Sequence, residues 1–206
     1  TTIAGGTICL PTDTTCDGDG TAAKFTRLRG IALDTSSQVA YVVDTALHTI
    51  RKIDLADPYK VTTFAGTSGT MCLDAATATP ALDEVQTTCD DVGTAATFNN
   101  PVGIAIDTSR QLLYVTDTKH RNLRRIDIMT GQVTTVLAWP SGPHEPFGIA
   151  LDIDNDLGFV ALSSASKIEA VQLVEPGYYD SFVDVVATDP FPHRNGQLSA
   201  RYHRKN

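Results

Sequence analysis

Asp152, Asp154 and Asp156 stand at alternate positions, a spacing that invites a shared calcium ion. Calcium takes several oxygen ligands, and the helix–loop–helix form of such a site needs Gly at its sixth position and an acid at its twelfth. Leu157 and Ser163 stand there instead, so an ordinary turn is the better reading of this segment. Cys16-Asp-Gly-Asp-Gly20 raises the same question and receives the same answer. The histidines are His48, His120, His144, His193 and His203; zinc would need several of them to converge. Arg51, Lys52, Arg124 and Arg125, with Asp54 and Asp127, form a charged ladder. Such a ladder either binds an anion or another ligand, or its members pair between neighbouring blades or face solvent, an exposed pair being worth under about 1 kcal/mol. The second reading is preferred. No serine-nucleophile elbow, phosphate loop or paired catalytic carboxylate motif occurs. The expectation is no catalytic set, no metal and no cofactor.

The elements that must carry these residues are repeated. One unit runs from Phe25 through Leu-Arg-Gly30-Ile-Ala-Leu-Asp34, then Tyr41-Val-Val-Asp44-Thr, Ile-Arg51-Lys-Ile-Asp54 and Val61-Thr-Thr-Phe-Ala-Gly66. A second runs from Phe98 through Pro-Val-Gly103-Ile-Ala-Ile-Asp107, then Tyr114-Val-Thr-Asp117-Thr, Leu-Arg124-Arg-Ile-Asp127 and Val133-Thr-Thr-Val-Leu-Ala138. A third is eroded: Pro146-Phe-Gly148-Ile-Ala-Leu-Asp152, Gly158-Phe-Val-Ala161, Lys167-Ile-Glu-Ala-Val171 and Val183-Asp-Val-Val-Ala187. Each is four short alternating runs of β-branched and aromatic residues separated by turns, the pattern of an antiparallel meander. Gly103 and Gly148 are 45 residues apart, a spacing in the usual range for propeller blades. Gly30 and Gly103 are 73 apart because a long loop intervenes. Gly30, Gly103 and Gly148 open the innermost strand, where a side chain would collide. Asp34, Asp107 and Asp152 end it and are placed to accept N–H bonds from the next turn. Tyr41, Tyr114 and Phe159 are placed to pack between neighbouring blades.

The pattern Pro-x-Gly-Ile-Ala-x-Asp, Tyr-Val-x-Asp-Thr, Ile-Arg-x-Ile-Asp, Val-Thr-Thr-x-Ala-Gly resembles the NHL repeat. The resemblance covers most of the chain and implies an all-β propeller of four-stranded antiparallel blades. The Asn-His-Leu triplet that names the family is altered, reading Ala46-Leu-His-Thr-Ile-Arg51 and Lys119-His-Arg-Asn-Leu-Arg124. The third unit has Leu162-Ser163 in place of the Asp-Thr pair. The same resemblance keeps an enzyme in view. Propeller lyases and lactonases are similar to this family and hold a metal in the central channel.

The expected organisation follows. Residues 1–6 align with Val61–Gly66 and read as the outer strand of a preceding blade. Residues 7–24 are a disulfide loop, 25–66 blade 1, 67–97 a long disulfide loop, 98–138 blade 2, 139–187 the degenerate blade 3 and 188–206 a tail or edge segment. Propellers use roughly four to eight blades. Three blades and an extra strand make an incomplete ring. Further blades of a longer chain are one completion; other subunits, in a homo-oligomer or filament, are the other.

Cys9, Cys16, Cys72 and Cys89 sit in matching loops, each pair ahead of a Gly-Thr-Ala-Ala segment. Equivalent positions in repeated units pair equivalently, which predicts Cys9–Cys16 and Cys72–Cys89 among the three possible connectivities. Paired loop cysteines suit an oxidising compartment, so an extracellular or surface location is expected. Charged residues are 19% of the chain and net charge is −8, a balance that repels phosphate backbones and argues against nucleic acid. No run approaches the ~18 apolar residues a membrane helix needs. The expected role is a non-enzymatic interaction or structural module with protein partners.

Overall fold

The computed structural model describes residues 1–10, 13–56, 58–70, 89–140 and 142–173. The strands are β1 (Thr7–Ile8), β2 (Gly18–Asp19), β3 (Lys24–Phe25), β4 (Leu28–Asp34), β5 (Val39–Asp44), β6 (Thr49–Asp54) and β7 (Lys60–Ala65). They continue as β8 (Pro101–Asp107), β9 (Leu112–Asp117), β10 (Asn122–Asp127), β11 (Val133–Ala138), β12 (Pro146–Asp152), β13 (Leu157–Leu162) and β14 (Lys167–Gln172). The chain is all-β, an arc of propeller blades. Blade 1 is β4-β5-β6-β7 with β2 added at its outer edge, blade 2 is β8-β9-β10-β11, and blade 3 is β12-β13-β14. The fourth strand expected over Val183–Ala187, and the tail over 188–206, lie outside the described residues. Among the described residues no helix is long and apolar enough to cross a membrane.

Residues 1–6 are not a strand, contrary to the sequence expectation. Gly5 and Gly66 nonetheless occupy matching places. Both have left-handed φ, +81° and +89°, and their N–H groups donate to the carbonyls of Gly20 and Gly93. Thr1–Ala4 therefore sit where an outer strand ends, but among the described residues no strand lies beside them to form a ladder. The chain turns on into β1, which pairs in parallel with β3.

Alternation decides which face each side chain covers. Tyr41, Val43 and Ile50 of blade 1 meet Phe98, Ile104, Leu113, Val115 and Ile126 of blade 2 in one core cluster. Leu112, Tyr114 and Leu123 of blade 2 meet Val160, Leu162 and Val171 of blade 3 in a second. Tyr41 and Tyr114 are buried at these junctions, whereas Phe159 at the matching place in blade 3 is exposed. Inner strands approach so closely that a Cβ on Gly30 would lie 2.6 Å from the Val102 carbonyl. At Gly148 the nearest atom to such a Cβ is 4.0 Å away.

The tight turns are closed by the aspartates that end the inner strands. Asp34 accepts from the N–H groups of Ser36 and Ser37 and from the Ser36 hydroxyl. Those bonds, the Ser36 hydroxyl foremost, hold its carboxyl at about 2. Asp107 repeats the arrangement with Ser109 and Arg110.

Candidate functional site

The repeated polar architecture centres on Arg51 and Arg124, and here the structure corrects the sequence reading. Neither faces solvent, and their carboxylate partners Asp17 and Asp90 come from the loop before their own blade rather than from a neighbouring blade; both arginines are wholly buried. On β6 and β10 they point to the face that looks back toward the loop before their own blade. Lys52 and Arg125, one residue on, take the opposite face and are only half-buried.

Arg51 donates to the carbonyls of Lys24 (3.1 Å) and Cys16 (3.0 Å) and to the Asp17 carboxylate (2.7 Å). Its guanidinium lies 5.2 Å from the Phe25 ring centroid. The Thr63 hydroxyl donates to the same Asp17 oxygen. Arg124 repeats every part. It donates to the carbonyls of Thr97 (3.1 Å) and Cys89 (2.9 Å), and to Asp90 (2.7 Å), and lies 5.1 Å from the Phe98 centroid. Thr135 donates to Asp90 through both its N–H and its hydroxyl. Arg124 also reaches Asp117 at 3.1 Å. A planar guanidinium with five donors suits such a multi-acceptor site, which an ammonium does not.

The clamp fastens the segment that follows the second cysteine of each loop. Each such segment contains one 3-10 turn, Gly20–Ala22 and Gly93–Ala95, entered through a left-handed glycine. Each also extends its blade's outer strand: β2 pairs with β7, and Val92 bridges to Gln132. Cys9 and Cys16 are joined by a disulfide. Cys89 is disulfide-bonded as well, while Cys72 lies outside the described residues. Lys24 pairs with Asp13 at 2.6 Å inside the first loop and holds the Asp13 carboxyl below its usual range.

The Asp-Thr pairs tie blades together. Asp44 accepts from the N–H groups of Thr26 and Arg27, and Asp117 from that of Asn99. The Thr45 hydroxyl donates to the Pro101 carbonyl of blade 2, and the Thr118 hydroxyl to the Pro146 carbonyl of blade 3, each at 2.7 Å. Blade 3 has lost the clamp. Glu169 replaces the arginine and accepts from the Trp139 indole N–H at 2.6 Å.

Among the described residues the calcium and zinc candidates are not assembled. Asp152 accepts from the Asn155 N–H and side-chain amide, and Asp156 pairs with Arg110 of blade 2. Asp152, Asp154 and Asp156 do not gather at one point. Among the described residues the one close group of potential ligands is Cys9, Asp13 and Cys16, whose sulfurs are already joined in the disulfide. His120 meets Asp117 at 3.1 Å. His48 Nδ1 accepts from the Asn100 N–H of blade 2 at 3.0 Å. His193 and His203 lie outside the described residues.

His48 supplies a pH test. Burial lowers its pKa below 6.5, against the opposing pull of Asp117 and Asp44, while His120 adds to the lowering. A histidine whose folded pKa is depressed contributes stability above its unfolded pKa and loses it as pH falls through the folded value. His48→Leu leaves the Asn100 N–H unpaired and is expected to cost about 1–3 kcal/mol at pH 8. The gap in melting temperature between wild type and variant should narrow as pH is lowered; a gap constant with pH counts against this role.

Sequence reasoning missed the clamp partners Asp17, Asp90, Thr63, Thr135, Phe25 and Phe98. A signal was there. Cys-Asp, Phe and Arg occur together in two repeats and are lost together in the third.

No family model matches the chain. It is 29% identical over 120 residues to NHL repeat-containing protein 2 of Homo sapiens, covering 58% of this chain and 14% of that protein. The counterpart from Gallus gallus is 31% identical over 114 residues, covering 55% and 14%. The matched stretch thus spans about one seventh of these relatives' length. Among solved structures, an auxiliary nutrient binding protein from Bacteroides thetaiotaomicron VPI-5482 superposes with a TM-score of 0.50 at 19% identity. That match covers 67% of this chain and 35% of the other, and it bears on the fold alone.

Proposed function

We propose that this arc of propeller blades, similar to NHL repeat-containing protein 2, serves as a non-enzymatic extracellular protein-interaction or assembly module. The contact surface in this reading is the rim formed by the two disulfide loops. One observation carries it: the segment that closes each loop is fastened by the same buried clamp, Arg51 on Cys16 and Asp17, Arg124 on Cys89 and Asp90. A segment held by a buried ion pair, as Cys16–Asp17 and Cys89–Asp90 are, keeps its shape before a partner arrives. Binding then costs less ordering entropy. The paired cysteines support an oxidising, extracellular setting.

The test is to replace residues 73–88 with a short Gly-Ser linker, keeping Cys72 and Cys89. The variant is expected to melt within a few degrees of wild type and to lose capture of the partners that wild type retains. If it captures the same partners with the same yield, the rim is not the contact surface.

A further inference from the structure

Just after the phenylalanine of each clamp, two backbone N–H groups need acceptors before the inner strand begins. In blade 1 they belong to Thr26 and Arg27, and both donate to Asp44 of the same blade at 2.8 Å. In blade 2 the matching groups belong to Asn99 and Asn100. Asn99 donates to Asp117 at 2.7 Å, but Asn100 donates across the junction to Nδ1 of His48 at 3.0 Å. The other oxygen of Asp117 is already engaged by Arg124 and His120, each at 3.1 Å. A bond that a carboxylate accepts in blade 1 is therefore accepted in blade 2 by an imidazole of the preceding blade.

A ring nitrogen that accepts from an N–H carries no proton of its own. His48 is thus held neutral, with its proton on Nε2. His120 is the opposite case. Its Nδ1 faces a carboxylate and donates, a bond that a charged ring strengthens. Both histidines are buried, yet of these two bonds only the one His48 makes to Asn100 is broken by gaining a proton. Asn100 has a left-handed φ of +50°, a conformation that a residue other than glycine keeps where its surroundings hold it. It stands between the clamped segment and the inner strand β8. The other ties from blade 1 to that segment are the Gly66 N–H on the Gly93 carbonyl and the Thr67 hydroxyl on the Thr94 carbonyl.

We propose that His48 is an acid-sensitive latch between blades 1 and 2. When Nδ1 takes a proton, N–H faces N–H, Asn100 is released, and the segment 89–100 that closes the second loop loosens from blade 1. Among the described residues, the charged and titratable groups around His48 are Asp44 on its own blade and Asp117 and His120 on blade 2, with Arg124 paired to Asp117. Burial foremost, and His120 beside it, disfavour the charged ring, while Asp117 and Asp44 favour it; the balance keeps His48 neutral until the pH is below 6.5. The latch is shut at neutral pH and opens on acidification. Arg121 takes the matching left-handed position in blade 2 and carries a fixed charge, so the junction to blade 3 is not sensitive in this way. The consequence for partners, that acid loosens the contact rim, rests on the rim reading above; the latch itself does not.

Amide hydrogen exchange on the 206-residue protein at about pH 7.5 and about pH 5, each corrected for the intrinsic rate, tests the latch without any partner. Protection of the Asn100 amide and of peptides within 89–100 is expected to fall roughly tenfold or more at the lower pH. Thr26 and Arg27, whose N–H groups rest on Asp44, should keep theirs. His48→Gln supplies an acceptor that does not titrate and should stay protected at both pH values. Should that variant not fold, an NMR titration of wild type decides alone: the His48 ring nitrogens and the Asn100 amide should shift with one shared midpoint, below 6.5. Unchanged protection in wild type overturns the proposal. So does a His48→Gln protein that opens as wild type does, or an Asn100 amide that does not follow the His48 midpoint. The variant with residues 73–88 replaced keeps His48 and Asn100 and should open in acid all the same, so the rim reading and this one fail separately.

Discussion

Replacing Arg124 with methionine is expected to destabilise the protein by about 3–5 kcal/mol, among the largest effects of any single substitution. The side chain is wholly buried and donates to two carboxylates and two carbonyls. Methionine keeps much of the volume and removes all of the donors. Asp117, buried with its carboxylate 3.1 Å from the guanidinium, is then left without its counter-charge. Breaking one side of a buried pair costs more than the pair itself is worth, because the surviving charge stays desolvated. Arg51→Met should cost less. Its partner Asp17 has a side chain 35% exposed, and water replaces part of what the arginine supplied. Lysine at position 124 restores charge without the fork and should recover only part of the loss. Urea denaturation of the three variants checks the order. A loss below about 1 kcal/mol for Arg124→Met would show that the network relaxes around the missing group.

The second large effect is expected at Gly103. Alanine there places a Cβ into the Phe147 carbonyl and within 2.9 Å of the Thr116 hydroxyl. Neither neighbour is a free side-chain end. The carbonyl belongs to the inner strand of blade 3, and the hydroxyl already donates to it at 2.7 Å. Overpacking of this kind costs about 1–3 kcal/mol, and rigid backbone on both sides puts this case at the upper end. Gly148→Ala is the internal control, since its Cβ would meet only the Ala161 side chain at 4.0 Å. Its cost within one chain should stay within about 0.5 kcal/mol. Melting curves of the two variants side by side decide it. Equal losses would falsify the assignment of Gly103 to a blade junction.

The residues that were legible in advance share one physical property: their role is local. Asp34 and Asp107 close turns two and three residues ahead, so their position at a strand's end already announced the bond. Tyr41 and Tyr114 lie on one side of an alternating strand, and that side is the one the next blade covers. Cys9 and Cys16 are close in sequence and joined. Arg51 and Lys52 were misread together because neighbouring charged residues look alike in a sequence. Only the loop packed against one face of β6 makes the first buried and leaves the second half in water.

The sequence by itself determined the blade, its strand order, its turn chemistry and the erosion of the third repeat. These follow from period-2 patterning and from residues that act within a few positions of themselves. Tertiary structure decided which of two adjacent cations is buried, that Asp17 and Asp90 are clamped, and which glycine is crowded and which has room. Those outcomes depend on segments 27 to 45 residues away being folded against a strand, and no local propensity encodes that distance.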